Sequence, residues 1–525
     1  MRTLPDTARR RKLPIGLQTL AKLRDQNCYY VDKTGMVIDL IESGSAYFLS
    51  RPRRFGKSLL LDTFKELFEG NRALFDGLAA ETRWDWTRRY PVIRINFASG
   101  ELHSRAELDQ RLAELIDEHA ERQDVALRSQ SLAGRFGELI RRTHSKAGAP
   151  VVVLVDEYDK PILDNLSDPV VAREMREGLK NLYSVLKGAD EHLKFVFLTG
   201  VSKFSKVSLF SGLNHLIDLT LDPRYSALCG YTDADVDTVF APELPGLDRE
   251  EIRRWYNGYN WRGTGVYNPF DLLLLFDRRE FQPFWFETGT PTFLVNLLAE
   301  RRMHTPDLGR LVASDTLLST FDVDTIPTEA LLFQTGYLTI DRTEVLPGML
   351  SYTLKYPNQE VQAGLNGSLL KFYSGDASVP DAQVTRLWHV LKAGDPLALK
   401  DLFHAFFASI PNDWYRNSPI AQFEGYWASV FYSHFAALGL DIRVEDTTNK
   451  GRIDMAVLAC GVVWLFEFKV VELVPQGRAL QQLKDRGYGE KYAGRGEPVY
   501  LIGVEFSRGD RNIVGFEVEL TDAQP

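Results

Sequence analysis

The sequence predicts an α/β protein of several domains, and three observations lead to this fold class. The 525 residues are too many for a single hydrophobic core. The N-terminal part alternates short apolar runs with helical patterns, which is typical of a parallel sheet covered by helices on both faces. After a mainly helical middle, strands with alternating polarity return from about residue 420.

Composition narrows the class of protein. Apolar residues make up 44% and charged residues 25% of the chain, an ordinary globular profile. No apolar run is long enough for a membrane span, and the basic run at residues 9–12 precedes no apolar segment, which argues against a secretory signal. The three cysteines are far apart, so the default expectation is a reduced, cytoplasmic protein. The net charge of −9 argues against coating nucleic acid through bulk charge, but leaves room for a local basic groove.

Residues 1–235 are expected to form the first domain. Its expected elements are apolar strands at 47–50, 91–97, 151–159 and 195–200, with helices from Ser58 and within 104–145 and 170–188. Strands of this kind, separated by helices, indicate a parallel sheet.

Three further segments connect this domain to the C-terminal one. We expect a helical lid region at 236–300, a winged-helix-like module at 301–365 and a helical linker at 366–419. The module is suggested by a helix from Thr328 that runs into two strands joined by a turn at Pro347-Gly348.

Residues 420–525 are expected to form a self-contained α/β unit. Its expected elements, in order, are a helix at 423–438, strands at 441–446, 453–459 and 462–470, a helix at 477–493 and a strand pair at 498–506 and 514–520.

A candidate phosphate-binding loop follows the first strand. It has the sequence 51-RPRRFGKSL-59, comprising Arg51, Pro52, Arg53, Arg54, Phe55, Gly56, Lys57, Ser58 and Leu59. In such loops backbone N–H groups and a helix N-terminus bind phosphate, a lysine reaches its oxygens, and a serine binds magnesium. Arg51 stands where the first glycine is expected, so a solvated basic turn is the alternative interpretation.

Two later strand ends favour the nucleotide-binding interpretation. The apolar run 152–155 leads directly into Asp156 and Glu157, which suit a magnesium ligand and a group that orients the attacking water. Thr199 ends another apolar strand, where a hydroxyl can sense the terminal phosphate. Acidic residues and Thr-Gly pairs are also common at strand ends for purely structural reasons.

A second group of polar residues lies in the C-terminal unit. Glu467 and Lys469 face the same side of one strand, and Asp454 lies on the preceding strand. Two carboxylates and a lysine suit Mg²⁺-dependent phosphodiester cleavage. Because this group of residues contains no histidine or cysteine, it favours a hard ion over zinc. The alternative is an exposed cross-strand ion pair. The apolar flanks on both sides, which would partly bury the charges, count against it.

The N-terminal motifs resemble the bacterial and archaeal predicted AAA-ATPase family, which is similar to AAA+-like P-loop NTPases, over about residues 13–365. The motifs that carry this resemblance are YVDKT, SRPRRFGKSLLL, VDEYDKPI, LTGVSKFSKVSLFSGLNHLIDLT, WYNGYNW, YNPF, TGTPTFL and LLFQTGYLTI. The resemblance implies that the arginine-bearing loop is a family trait and that the nucleotide is ATP. It also implies that Lys57 and Ser58 bind phosphate and magnesium, Asp156 magnesium, Glu157 the water and Thr199 the terminal phosphate.

The C-terminal motifs resemble the PD-(D/E)XK nuclease superfamily over about residues 420–506, implying a restriction-endonuclease-like domain. By this resemblance Asp454, Glu467 and Lys469 are catalytic, the two acids hold Mg²⁺, and Gln482 supports them. Glu424 is implied as a further acid at the metal. Ile453 stands where proline often precedes the aspartate, but the charged positions are retained, which favours an active site.

Together the two resemblances imply an ATPase coupled to a nuclease, with DNA favoured over RNA, no membrane partner, and a homo-oligomer as one possible assembly. Genome defence or mobile-element processing is the implied setting. One alternative is a regulatory ATP switch whose nuclease-like domain only binds nucleic acid or a protein. Another is an ATPase that remodels a protein partner.

Overall fold

The computed structural model describes residues 10–203, 216–287, 294–295, 297–298, 301, 303–318, 327–374, 379–410 and 425–521. The chain divides into two compact units, each of which contains two separate segments. Unit 1 comprises Met1–Trp285 and Leu311–Asn358, and unit 2 comprises Phe286–Arg310 and Gln359–Pro525. Within the described ranges, no helix combines the length and the apolar character needed to cross a membrane.

Unit 1 contains the parallel sheet that the sequence predicts. Its five strands lie in the order β2-β3-β4-β1-β5 and all pair in parallel. They are β1 (Ala46–Ser50), β2 (Val92–Asn96), β3 (Val151–Asp156), β4 (Leu193–Gly200) and β5 (Ile217–Asp218). Because parallel strands all end at the same edge, this order brings the ends of β1, β4 and β3 side by side.

The helices of this sheet domain are α1 (Leu20–Asp25), α2 (Thr34–Ser43), α3 (Lys57–Phe68), α4 (Ala80–Arg83), α5 (Arg105–Arg122), α6 (Leu132–Ala147), α7 (Lys160–Leu163) and α8 (Pro169–Gly188). The helical stretch expected within 104–145 is two helices. Ser104 caps α5 and Ser131 caps α6, each through a side chain that accepts from a backbone N–H in the first turn.

The rest of unit 1 forms a second apolar core and a small antiparallel sheet. The elements are α9 (Asp233–Val239), α10 (Arg249–Tyr256), α11 (Pro269–Arg278), α12 (Phe284–Glu287, which crosses the unit boundary), β6 (Val312–Ser314), α13 (Asp315–Leu318), α14 (Thr328–Thr335), β7 (Thr339–Leu346) and β8 (Met349–Lys355). Val236, Ile252 and Leu272 are buried in the core that these helices share with Tyr29. Strands β7 and β8 form the expected hairpin, in which Gly348 has a positive φ of 87° at the turn.

Unit 2 contains a five-stranded mixed sheet in the order β13-β12-β11-β10-β9, in which only β11 and β12 pair in parallel. Its elements are α15 (Gln359–Ser374), α16 (Val379–Ala393), α17 (Pro396–Ser409), α18 (Gly425–Ala437), β9 (Asp441–Thr448), β10 (Gly451–Ala459), β11 (Val462–Val471), α19 (Arg478–Asp485), β12 (Val499–Ser507) and β13 (Asn512–Thr521). The two α/β sheets, one in each unit, confirm the predicted fold class.

Glycines with positive φ decide two local features of unit 2, the end of a helix and the turn of a hairpin. The helix expected at 477–493 ends at Asp485, because Gly487 adopts a positive φ of 55° and two short 3₁₀ turns follow. The hairpin between β10 and β11 turns at Cys460-Gly461, where φ is positive at both residues, as a two-residue hairpin turn requires.

An aromatic core joins the helices of unit 2 to its sheet. Phe403 of α17 stacks on Phe431 of α18 with ring centroids 3.8 Å apart. Phe431 in turn contacts Phe466 and Phe468 of β11. The segment expected to be a helical linker therefore contributes to the core of the C-terminal unit.

Candidate active sites

The candidate phosphate loop leaves β1 and enters α3 through two residues with positive φ, Arg54 at 68° and Gly56 at 84°. Phe55 is only 1% exposed, and its ring meets Tyr259 and Trp261 edge-on at 4.7 and 5.4 Å. The indole N–H of Trp285 donates to the Arg53 carbonyl at 3.1 Å. Aromatic residues some 200 positions later in the chain therefore fix the shape of this loop.

Arg51, at the position of the missing glycine, has a buried side chain. Its guanidinium donates to the carbonyl oxygens of Ser50, Thr220 and Tyr225 at 2.8 to 3.3 Å and lies 4.0 Å from the centre of the Trp261 ring. Burial lowers the pKa of Arg51 to about 10. These contacts use the guanidinium to hold the loop in place, whereas the neighbouring Arg53 and Arg54 are exposed.

Lys57 begins α3, and its ammonium group is turned back into the loop. The Nζ atom donates to the carbonyl oxygens of Arg51 and Pro52, both at 2.9 Å. Burial lowers the pKa of Lys57, while the nearby Glu157, Asp156 and Asp159 oppose that shift. A bound phosphate would be a third, charged acceptor for this ammonium group.

Asp156 ends β3 and is fully buried beside the loop. Its Oδ1 accepts from the Thr199 hydroxyl at 2.9 Å, and its Oδ2 accepts from Arg94 Nη2 at 3.4 Å. Arg94 also donates to the Ser58 carbonyl at 3.4 Å and to Asp62 at 3.2 Å. The structure thus brings Asp156, Thr199 and the first turn of α3 together, as the sequence predicts. The sequence interpretation missed Arg94, a charged residue inside the apolar strand β2.

The two acids after Asp156 have different environments. Glu157 has a positive φ of 53°, and burial raises its pKa, while Lys57 opposes the shift. Asp159 is 1% exposed and accepts from the backbone N–H groups of Val201 and Ser202 at 3.0 and 2.6 Å. Asp159 therefore ties the loop after β3 to the end of β4.

The YVDKT motif makes structural contacts in unit 1. Asp32 accepts from the backbone N–H groups of Thr34 and Ala79 at 2.8 and 2.7 Å. Lys33 forms an ion pair of 2.7 Å with Asp235, which takes part in the capping box of α9. These contacts join α2 to α4 and to the helical part of the unit.

The donor set at this sheet edge fits a nucleotide with magnesium. Lys57 offers a cation, Ser58 a hydroxyl at the start of a helix, and Asp156 a carboxylate on a nearby strand. Hydroxyl and carboxylate oxygens are the ligands that Mg²⁺ prefers. These residues would hold the phosphates and the ion.

In unit 2, the hairpin of β10 and β11 gathers the predicted catalytic residues. Glu467 is 1% exposed, and its Oε1 accepts from Lys469 Nζ at 3.0 Å and from the side-chain amide of Gln482. Asp454 Oδ2 accepts from the backbone N–H of Phe468 at 2.9 Å. This burial excludes the alternative of an exposed ion pair at Glu467.

Burial destabilises the ionised form of both carboxylates, and the charge of Asp454 adds to this effect at Glu467. Burial, followed by the charge of Asp454, raises the pKa of Glu467 to about 7. Burial also raises the pKa of Asp454, although the Phe468 N–H and Lys469 oppose that shift. Glu467 Oε2 is buried and accepts no hydrogen bond from the described residues.

This donor set fits a divalent cation. A buried carboxylate oxygen without a donor, next to a second carboxylate, gains most from a positive charge. Asp454 and Glu467 would hold the ion. No group of three or more His, Cys, Asp or Glu side chains within the described ranges is placed to bind a metal. Glu424, the further acid implied by resemblance, lies outside the described residues.

Gly503 explains how Gln482 reaches Glu467. Gly503 pairs with Glu467 across the parallel strands, and a Cβ atom on it would lie 2.2 Å from the backbone nitrogen of Leu480 in α19. Only glycine lets the helix pack this closely on the sheet. Glu505, 2% exposed, accepts from the Arg478 backbone N–H at 2.8 Å and anchors the start of the same helix. The sequence interpretation missed both residues.

A cavity of about 350 Å³ opens beside these residues, within unit 2. Asp454 and Lys469 line it together with Glu445 of β9 and Tyr432 of α18. His304, which precedes the sheet by more than a hundred residues, also lines the cavity. A ligand bound in this space would contact Asp454 and Lys469.

Comparison with known proteins agrees with both family resemblances. Residues 14–210 match the family described as Predicted AAA-ATPase, and residues 422–516 match the PD-(D/E)XK nuclease superfamily. The chain is 62% identical over 511 residues to a protein of Azotobacter chroococcum mcd 1 named "Uncharacterized protein in vnfD 5'region"; the match covers 97% of this chain and 99% of that protein. The chain therefore belongs to the predicted AAA-ATPase family and carries a C-terminal domain of the PD-(D/E)XK nuclease superfamily.

Proposed function

We propose that this protein hydrolyses ATP and couples it to Mg²⁺-dependent cleavage of nucleic acid phosphodiesters, with DNA as the favoured substrate. The observation that carries the nuclease part is the buried Glu467, whose Oε2 lacks a donor among the described residues, beside Asp454. A divalent cation at that position would polarise the scissile phosphate and lower the pKa of a water molecule.

The residues around the acids have distinct proposed roles in cleavage. Asp454 and Glu467 bind the cation, and the Phe468 N–H fixes the orientation of Asp454. Lys469 is 36% exposed at its side chain and lies 3.0 Å from Glu467, so its ammonium group can orient the attacking water or stabilise the phosphate charge. Gln482 holds Glu467 through its amide.

The ATP site is proposed at the carboxyl edge of the parallel sheet. The loop from Arg51 to Leu59 binds the phosphates through its backbone, Lys57 and Ser58. Asp156 supports the magnesium ion, and Glu157 orients the water. Support comes from the position of β4 between β1 and β3, which places Thr199 against Asp156 at 2.9 Å. Arg53 and Arg54 are exposed on this loop and suit phosphate or a neighbouring subunit.

One experiment tests both halves. Labelled DNA and RNA are incubated with Mg²⁺, with and without ATP, and phosphate release is measured in parallel. Lys57→Ala is expected to abolish ATP hydrolysis, and Glu467→Gln to abolish cleavage while leaving ATP hydrolysis intact. Lys65→Ala on the same helix and Glu472→Gln on the loop after β11 are the matched controls.

The outcomes separate the two assignments. Cleavage by Glu467→Gln at the wild-type rate would show that the nuclease site is wrong, and the domain would then only bind nucleic acid or a protein. ATP hydrolysis by Lys57→Ala at the wild-type rate would show that the assignment of the phosphate loop is wrong.

A further inference from the structure

A short segment, residues 303–310, contributes to the nuclease-like site although it lies outside both matched ranges, 14–210 and 422–516. The segment belongs to unit 2 and contains the 3₁₀ helix Thr305–Arg310. His304 and Pro306 line the same cavity as Asp454 and Lys469. The candidate site is therefore not complete within the matched nuclease domain.

Helices α15 and α18 fix this segment in place. The backbone N–H of Thr305 donates to the Ser429 hydroxyl at 3.2 Å, and the Thr305 hydroxyl lies 3.1 Å from that of Tyr373. Thr305 and Leu308 are each 1% exposed. Buried contacts on two helices leave this segment little freedom to move away from the cavity.

The side chain of His304 is oriented by a chain of polar contacts. Its Nδ1 lies 3.0 Å from Asp307 Oδ2, and Arg310 donates to Asp307 Oδ1 at 2.7 Å. Arg310 also donates to the Val444 carbonyl at 3.3 Å and pairs with Glu445 at 3.4 Å, which attaches the chain of contacts to β9.

These contacts determine which ring nitrogen carries a proton. Burial alone would raise the pKa of Asp307, but its hydrogen bonds with Arg310 and His304 hold that pKa below the usual value. An ionised carboxylate only accepts hydrogen bonds, so Nδ1 of His304 is the protonated nitrogen facing it. Nε2 is then the nitrogen that remains for a group in the cavity, and it donates to an anionic oxygen only when the ring carries a proton on both nitrogens.

We infer that His304 is a substrate-binding residue of the nuclease-like site, whose imidazolium ring donates from Nε2 to a phosphodiester oxygen of the strand lying in the cavity. Asp307 is the positioning residue that orients the ring. The inference rests on the proposed nuclease function and adds to it a contact from a segment more than a hundred residues before the catalytic strands. The anionic walls at Asp454 and Glu445 make such a contact useful, because they repel the phosphate that must approach them.

The test measures binding separately from cleavage. A 5′-labelled DNA oligonucleotide and its duplex are bound to Glu467→Gln protein, in which cleavage is blocked, with and without a second substitution. His304→Ala is expected to weaken binding about tenfold, as for one lost hydrogen bond to a charged group. His304→Gln, which keeps a side-chain donor, is expected to recover part of that loss. His404→Ala, an exposed histidine on α17, is the control and should bind normally.

Cleavage kinetics and melting temperature complete the test. In protein with Glu467 intact, His304→Ala should raise KM about tenfold with little change in kcat, and Asp307→Asn should act in the same direction but less. The melting temperature of His304→Ala should stay at the wild-type value, since the ring of His304 faces a cavity.

Each result decides the inference. Unchanged binding and KM in His304→Ala, with wild-type cleavage still lost in Glu467→Gln, would overturn the role of His304 and leave the nuclease function standing. A fall in melting temperature that accounts for the binding loss would also overturn it. If the wild type neither binds nor cleaves nucleic acid, the proposed function itself fails, and the inference fails with it.

Discussion

The two candidate sites are built in different ways. In unit 1, the site lies at the edge of a parallel sheet and consists of a backbone loop, a helix N-terminus and two neighbouring strand ends. In unit 2, the site consists of side chains from an antiparallel hairpin, to which α19 adds Gln482. The first arrangement offers N–H groups to an anion, and the second offers carboxylates to a cation.

The hydrogen bonds already present make the difference sharper. Both carboxylate oxygens of Asp156 accept hydrogen bonds, and Lys57 donates to two carbonyl groups. Glu467, in contrast, has one oxygen that accepts nothing from the described residues. A ligand that binds in unit 1 must therefore replace hydrogen bonds that Asp156 and Lys57 already make. A ligand that binds in unit 2 must instead neutralise the charge of Glu467. Four predictions test this contrast.

The largest effect is expected for Asp156→Asn. The amide oxygen can still accept from Thr199, but the charge that supports magnesium is lost, so ATP hydrolysis should fall about a thousandfold. The measurement is phosphate release at saturating ATP. Asp190→Asn, an exposed position shortly before β4, is the control. Hydrolysis within a factor of ten of the wild type would place the magnesium ligand elsewhere and remove the contrast.

The next effect concerns pH and Glu467. In the folded protein the pKa of the Glu467 carboxyl group is about 7, whereas its ordinary pKa is 4.5. Between these values the folded state binds more protons than the unfolded state, so the contribution of Glu467 to stability falls as pH rises and is lost above about pH 7. The loss is at most on the order of 3 kcal/mol.

Unfolding by denaturant, measured in the presence of a metal chelator at pH 5 and pH 8, checks this prediction. Glu467→Gln should unfold like the wild type at pH 5 and be the more stable protein at pH 8. Mg²⁺ should stabilise the wild type at pH 8 but not Glu467→Gln. Glu472→Gln, whose side chain is 81% exposed, retains Glu467 and should therefore unfold like the wild type at both pH values. If Glu467→Gln and Glu472→Gln had the same stability at both pH values, the claim that burial raises the pKa of Glu467 would be wrong.

A smaller effect is expected for Gly503→Ala. The added Cβ would collide with the backbone of Leu480, so α19 must move away from Glu467, at a loss of about 2 kcal/mol of stability. Cleavage should fall as well, because Gln482 moves with the helix. Thermal melting and cleavage rates measure the two losses. Gly494→Ala, whose Cβ would meet nothing within 4 Å, is the control and should change neither.

The smallest effect is expected for Arg51→Lys. Lysine keeps the charge but loses the planar group that donates to three carbonyl oxygens and stacks on Trp261, so stability should fall by about 1 kcal/mol. ATP hydrolysis should change less than in Lys57→Ala. Arg53→Lys, on the same loop but exposed, should melt like the wild type. Loss of ATP binding without loss of stability would assign Arg51 to the nucleotide instead.

Features set by local pattern could be predicted from the sequence. The strands that end at Asp156 and Thr199, the loop with Lys57, and the facing pair Glu467 and Lys469 follow from runs and alternations only a few residues long. The structure brings these residues together as expected because parallel strands end at one edge and residues i and i+2 share one face. The boundaries that failed, such as the long helix expected at 477–493, depend on single residues like Gly487.

The sequence by itself determined the fold class, the phosphate-loop pattern and the acidic residues with their lysine, because each is written in neighbouring positions. Only the tertiary structure decided that Arg51 holds the loop rather than facing solvent, and that Arg94 contacts Asp156. It also decided that Gly503 admits a helix next to Glu467 and that His304 lines the cavity. These contacts join residues far apart in the chain, and no local periodicity records which distant side chain will fill a given space.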